Sequence, residues 1–205
     1  LLGRSLARGG TLVVAGDADQ QLDAAVSFPG WDAAMRALRR QDHERVVLDV
    51  GYRCPPEVSA LARSVLGRSP PPEATTVERF PTASALHAWL GATAERLLDQ
   101  DPRARVGVFT REGRAARRVA DGIRAHVPAR LVWGGDFGFA PGVDVTTIDQ
   151  VRGLEFDHVL VADASAAVYA DDERSRRALY VAITRARRTV RLAAVGSPTP
   201  LVSPR

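Results

Sequence analysis

Two neighbouring stretches, VDVTTIDQVRGLEFDHVLVAD (143–163) and RRALYVAITRARRTVRL (176–192), decide how this 205-residue chain is read. Residues 143–147 and 158–162 are short apolar runs rich in β-branched side chains, which predicts buried strands joined by a turn through Gly153. Residues 173–185 predict a helix and 189–194 a further strand. Upstream, 106–110 reads as a strand, 113–125 as an Arg-rich helix and 130–133 as a short strand, followed by a glycine-rich loop over 134–142. Residues 83–98 form an amphipathic pattern. Pro55-Pro56 opens a helix with Val58, Leu61, Ala62 and Val65 on one face, ending near Gly67. Nearer the start, the strand-like run 11–15, the helical spacing of Trp31, Ala34, Met35 and Leu38, and the strand-like run 45–50 read as a βαβ unit. This alternation predicts an α/β fold with a mainly parallel sheet flanked by helices.

Composition sets bounds. All 28 basic residues are Arg, because the chain contains no lysine, and the net charge of +4 permits contact with nucleic acid without requiring it. A single cysteine, Cys54, excludes an intramolecular disulfide and a paired-cysteine zinc site, and fits a reducing, cytoplasmic compartment. No run approaches the roughly 20 apolar residues of a membrane span. The opening at Leu1, without an initiator Met or a signal-peptide pattern, predicts a piece of a longer protein. The Pro/Ser-rich end, 197–205, predicts a loose tail.

Three polar clusters that could carry chemistry follow strands or lie on the helix between them, where open parallel sheets place ligands. GDADQ (16–20) joins a sharply turning glycine to carboxylates and a carboxamide able to orient water, metal or phosphate; it also suits a polar turn capped by its own Asp. Gly51-Tyr52-Arg53 pairs a ring that could stack on a base with a fork that could hold phosphate oxygens, or it is a core Tyr beside a surface ion pair. In the third cluster Gly153 permits close backbone approach, Glu155 offers acceptors for sugar hydroxyls, and Arg185 puts a cation at a helix end. The plainer reading of Arg185, Arg187 and Arg188 is a basic helix end that complements the dipole.

In order, GDADQ, GYR, TTIDQVRGLEF and ALYVAITRA resemble motifs III, IV, V and VI of the UvrD/Rep-like superfamily 1 helicases, and together they span most of the chain. The resemblance implies a RecA-like (P-loop NTPase-like) fold. It divides the chain into the last strand and motif III loop of a first RecA-like domain (1–30), a second RecA-like domain (31–196) and the tail. It implies that Gln20 senses the γ-phosphate of ATP, Tyr52 stacks on adenine, Arg53 and Arg185 meet the γ-phosphate, and Gly153 and Glu155 meet the ribose. Trp31, Thr147 and Arg152 become candidate nucleic-acid contacts, and ATP with Mg2+ would bind only jointly with an N-terminal motor domain. Departures are visible. Gly51 stands where the family usually has Asn, Asp149 where it has His, and Arg152 where it has Lys; a carboxylate at 149 repels a phosphate backbone. Phe28 and Trp31 lie further downstream than the family's base-stacking aromatic, and Trp31 opens an apolar helical stripe that suits core packing. The spacing from Arg53 to Thr147 implies a short form without the large inserted domain, and GWDAAMRAL with GYRCPPEV is similar to the HelD branch.

Without lysine no GxxxxGK[ST] phosphate loop can exist here, and HVLVAD (158–163) only imitates a Walker B strand, with Asp163 as an ordinary strand-end residue. The chain is therefore expected to lack ATPase activity by itself. The resemblance implies half of an ATP-dependent DNA helicase or translocase, partnered by its own N-terminal RecA-like domain and single-stranded DNA. An alternative is a non-catalytic helicase-like module docking on RNA polymerase or a repair complex. An unrelated enzyme using Asp17 and Asp19 as acid and base leaves TRA and GLEF unexplained.

Overall fold

A computed structural model of the chain describes residues 10–22, 28–40, 42–48, 51 and 53–202. It divides into two compact units, Leu1–Val50 and Gly51–Arg205. In the first unit a 3₁₀ turn, Ala18–Gln20, and helix α1, Trp31–Ala37, are the regular elements among the described residues. The strands expected at 11–15 and 45–50 are not formed: 11–15 and 43–48 are irregular, and Val13, Val46, Val47 and Leu48 are exposed. Residues 49 and 50 lie outside the described residues. A strand is held by hydrogen bonds to a neighbour, and among the described residues neither run has one.

The second unit carries the sheet. Helix α2, Pro56–Val65, starts at a proline whose missing N–H costs nothing in a first turn, and buries Val58, Leu61, Ala62 and Val65. Strand β1, Val77–Phe80, precedes helix α3, Ala83–Gln100, where the Thr82 hydroxyl accepts from the Ala85 N–H at 3.2 Å and so caps the first turn. Then come β2, Arg105–Thr110; α4, Gly113–Ile123; β3, Ala129–Leu131; and β4, Gly142–Thr147. A 3₁₀ turn, Ile148–Val151, leads into β5, Phe156–Val161. Helix α5, Glu173–Ile183, is capped by the Asp172 carboxylate, which accepts from the Ser175 N–H at 2.7 Å, and β6, Ala186–Val195, completes the sheet.

All strand pairings within the sheet are parallel, in the order β1-β6-β5-β2-β4-β3. The central strands β2, β4 and β5 are covered on both faces, which is why they read as continuous apolar runs. Their core joins Leu86, Leu90 and Ala94 of α3 and Ala116, Val119, Ala120 and Ile123 of α4 to Val106, Val108, Val143, Val145 and Leu160. β1 was not anticipated, because VERF has only two apolar residues and lies at a sheet edge, paired from Val77↔Leu192 to Phe80↔Val195. The segment 197–202 is not loose: Ser165 and Pro198 form an antiparallel bridge, Thr199 donates to the Tyr169 carbonyl at 2.7 Å, and Leu201 and Val202 are buried. No helix among the described residues is long and apolar enough to cross a membrane.

Gly107 in β2 shows how closely the centre is packed. A Cβ there would sit 2.6 Å from the Phe109 ring and 3.0 Å from that of Phe156, two rings already in edge contact at 5.3 Å. Gly107→Ala is expected to destabilise the second unit by about 1–3 kcal/mol through overpacking, read as a lower urea midpoint at unchanged slope.

Candidate functional site: an arginine and glutamate cluster at one end of the sheet

The third cluster does not follow its strands. Glu155 and Arg185 immediately precede β5 and β6, so they lie at the amino-terminal end of the sheet, whereas Thr147 closes β4 at the carboxyl-terminal end. The segment 148–155 runs from one end to the other, and its 3₁₀ turn packs against α5.

At the amino-terminal end the charges converge. Arg53 Nε stands 2.6 Å from Glu155 Oε1, and Arg187 Nε stands 3.8 Å from Glu155 Oε2. Arg185 is only 1% exposed. Its guanidinium donates to the carbonyls of Val181 at 3.2 Å and Leu154 at 3.3 Å and to the Thr184 hydroxyl at 3.2 Å. Burial, with Arg53 nearby, lowers its pKa from the usual arginine value, while the Glu155 carboxylate favours the charged form. Arginine remains a cation throughout the physiological range. Arg105 fixes the other side of Glu155: its guanidinium donates to the Glu155 carbonyl at 3.1 Å and lies 4.8 Å from the centre of the Phe156 ring. Gly153 adopts φ of +78° with open space where a Cβ would point, so the backbone there can be approached closely by a ligand.

Cys54 belongs to the same cluster, with its thiol 3.6 Å from the Thr184 carbonyl. Burial raises its pKa above the ordinary cysteine value, against the lowering influence of Arg53 and Arg185. The thiolate is therefore scarcer near neutral pH than in a free thiol. Cys54 is expected to react with a disulfide reagent at pH 7.5 more slowly in the folded chain than in urea, and to speed up as pH rises beyond the ordinary thiol range. A folded-state rate above that of free glutathione would show the arginines outweighing burial.

The remaining expected site residues are placed as follows. Gln20 lies in the first unit and donates to Asp17 Oδ2 at 3.0 Å; Asp17 Oδ1 accepts from the Asp19 N–H at 2.9 Å and caps the turn. Trp31, half-buried, meets Phe28 edge-on at 5.0 Å and packs over Gly16. Tyr52 lies outside the described residues. The Thr147 hydroxyl is buried and accepts from Gln150 Nε2 at 3.0 Å, whereas Arg152 is exposed and donates to the Asp149 carbonyl at 3.3 Å. Asp163, with φ of +61°, accepts from the Val195 N–H at 3.1 Å and so ties the ends of β5 and β6. The sequence reading missed Arg105 and did not connect Cys54 to Arg185. Arg105 carries no local signal, since it reaches Glu155 only through the neighbouring pairing of β2 and β5.

A six-stranded parallel sheet of this order, clad in helices, is a RecA-like architecture. Residues 142–193 match the family model of the UvrD-like helicase C-terminal domain. The fold is similar to the C-terminal domain of a possible DNA helicase from Lactobacillus plantarum WCFS1, with a TM-score of 0.63 and 23% identity over 76% of this chain and 94% of that one. More distant likenesses are the UvsW helicase of bacteriophage T4 (TM-score 0.42, 11% identity, 65% of this chain and 51% of that one) and the arterivirus nonstructural protein 10 helicase with DNA (0.42, 13%, 69% and 32%). No curated protein matches the chain in sequence. The family match is confined to residues 142–193, and the likeness to solved structures adds the fold.

Proposed function

We propose that this chain supplies the second motor domain of an ATP-dependent DNA helicase or translocase. The observation that carries the reading is the convergence of Arg53, Arg185 and Glu155, contributed by three separate parts of the second unit, at one end of the sheet. Two forked cations suit the γ-phosphate of ATP, and a carboxylate beside an open glycine suits the ribose hydroxyls. Tyr52, by the motif resemblance, would meet the adenine. The phosphate loop and the Mg2+ ligands would come from a first RecA-like domain; among the described residues no cluster of His, Cys, Asp or Glu could hold a metal ion. Hydrolysis breaks the bond between the β- and γ-phosphates. What this chain's arginines do is hold and neutralise the transferring group, the role that raises rates about 10³- to 10⁵-fold in other NTPases. Arg185 would exchange its Leu154 carbonyl for a phosphate oxygen, releasing the segment that leads back to Thr147. The non-catalytic docking module remains the second reading, because Asp149 is exposed where a phosphate backbone would be repelled.

The test is steady-state ATP hydrolysis by the chain joined to its native upstream sequence, with and without single-stranded DNA. Turnover that rises with DNA is expected. Absence of turnover in the joined protein would transfer the assignment to the docking module.

A further inference from the structure

The carboxyl-terminal end of the sheet presents an aromatic ring that the cluster at the opposite end does not use. Trp133, two residues beyond β3, is 64% exposed. Its ring rests against Gly113 so closely that a Cβ there would stand 2.5 Å from the ring edge. Glycine at the start of α4 therefore seats the indole and holds it up rather than letting it fold into the core. Trp133 lines a shallow cleft of about 440 Å³ with Gly113, Arg114, Arg117 and Leu131. Arg114 and Arg117 are exposed, one helical turn apart on the same face, and neither makes an ion pair among the described residues.

The loop behind the ring is fastened. The Gly135 N–H donates to Gln150 Oε1 at 3.1 Å, and Gln150 Nε2 donates to the Thr147 hydroxyl. At the far end of the loop Arg130 donates to the carbonyls of Ala140 and Pro141 at 2.8 and 2.9 Å. Gln150 thus joins the loop that follows Trp133 to the same short segment that ends at Gly153 and Glu155.

We propose that Trp133, seated on Gly113 and flanked by Arg114 and Arg117, is a stacking platform for one base of a single-stranded nucleic acid, with the two guanidiniums on its phosphates. This rests on the helicase reading above and adds a place for the strand on this domain. The charge complementarity is direct, and an exposed indole between arginines is the combination that binds single strands without regard to sequence. Glu112 and Asp136 border the patch in the chain and weaken it as a general anion trap, so the ring supplies part of the binding.

The experiment is fluorescence anisotropy of a labelled dT20 oligonucleotide with the 205-residue chain across a salt series. Trp133→Ala is expected to weaken binding about tenfold, and Trp133→Phe to retain binding within about threefold. Gly113→Ala, which displaces the ring, is expected to follow Trp133→Ala. Replacing both Arg114→Gln and Arg117→Gln should lower the slope of log affinity against log salt by about 1.4, while Arg96→Gln, an exposed charge on α3, should leave affinity within about twofold. Circular dichroism confirms that each variant is folded. Equal binding by Trp133→Ala and the parent overturns the platform and leaves the helicase reading standing. Failure of the parent chain to bind dT20 at 50 mM salt also overturns it, and hydrolysis by the joined protein then judges the helicase reading separately.

Discussion

Arg185→Ala, introduced into the chain joined to its upstream motor domain, is expected to lower ATP turnover a hundredfold or more. A cation placed against the transferring phosphoryl group contributes about 10³- to 10⁵-fold in rate, and Arg53 keeps part of that charge in place. Arg185→Lys should not restore turnover, because a point charge cannot reproduce a fork that keeps the Val181 carbonyl and the Thr184 hydroxyl while meeting a phosphate oxygen. The substitution also has a structural cost. Arg185→Ala leaves the buried Val181 and partly buried Leu154 carbonyls without this donor, which is expected to lower stability by about 1–3 kcal/mol. Turnover is therefore compared well below the melting temperature of the variant, with circular dichroism on the same sample. Arg53, whose side chain is 53% exposed, offers a second variant in which activity should fall with little change in stability.

The largest effect on stability is expected at the other side of the sheet. Asp144 in β4 has no exposed surface, and its Oδ1 lies 2.7 Å from Arg130 Nε; its Oδ2 is buried without a hydrogen-bond partner. Removing the arginine strands a buried carboxylate. Arg130→Ala is expected to cost about 3 kcal/mol, the low end for such a break, because Arg130 is partly exposed and water can enter its place. Combining Arg130→Met with Asp144→Leu should recover most of the loss, since well-packed apolar residues often replace a buried pair without penalty. Urea unfolding of the three proteins measures this. Equal midpoints for Arg130→Ala and the parent would show that the pair contributes nothing. Because Arg130 also holds the Ala140 and Pro141 carbonyls, Arg130→Ala is further expected to loosen the loop behind Trp133.

The central sheet was legible because β2, β4 and β5 are covered on both faces and so leave continuous apolar runs in the sequence. Helices α2 to α5 were legible from one-sided apolar spacing and from the glycine or proline punctuation around them. β1 was not, since a four-residue edge strand needs no such pattern. The run 11–15 shows the converse: it has a strand's composition, but composition does not provide a neighbour to pair with. In the candidate site, Gly153, Glu155 and Arg185 were marked in the sequence by their residue types. Their place just ahead of strands was legible too, but the crossing from Thr147 to the opposite end of the sheet was not, because the eight residues from Ile148 to Glu155 run without an α-helix and resemble a simple turn. Arg105 and Trp133 were missed for a related reason: each acts through a residue brought close only by strand pairing or by loop closure.

The claim that Arg53 and Arg185 face a γ-phosphate is tested most directly by a difference in affinity between two nucleotides. Binding of ATPγS and ADP to the joined protein is measured by calorimetry for the parent, Arg53→Ala and Arg185→Ala. Tighter binding of ATPγS by the parent, with that preference reduced at least tenfold in both variants and ADP affinity little changed, is the predicted result. An undiminished preference in both variants would contradict it, and would place these arginines in the architecture of the domain rather than at the phosphate.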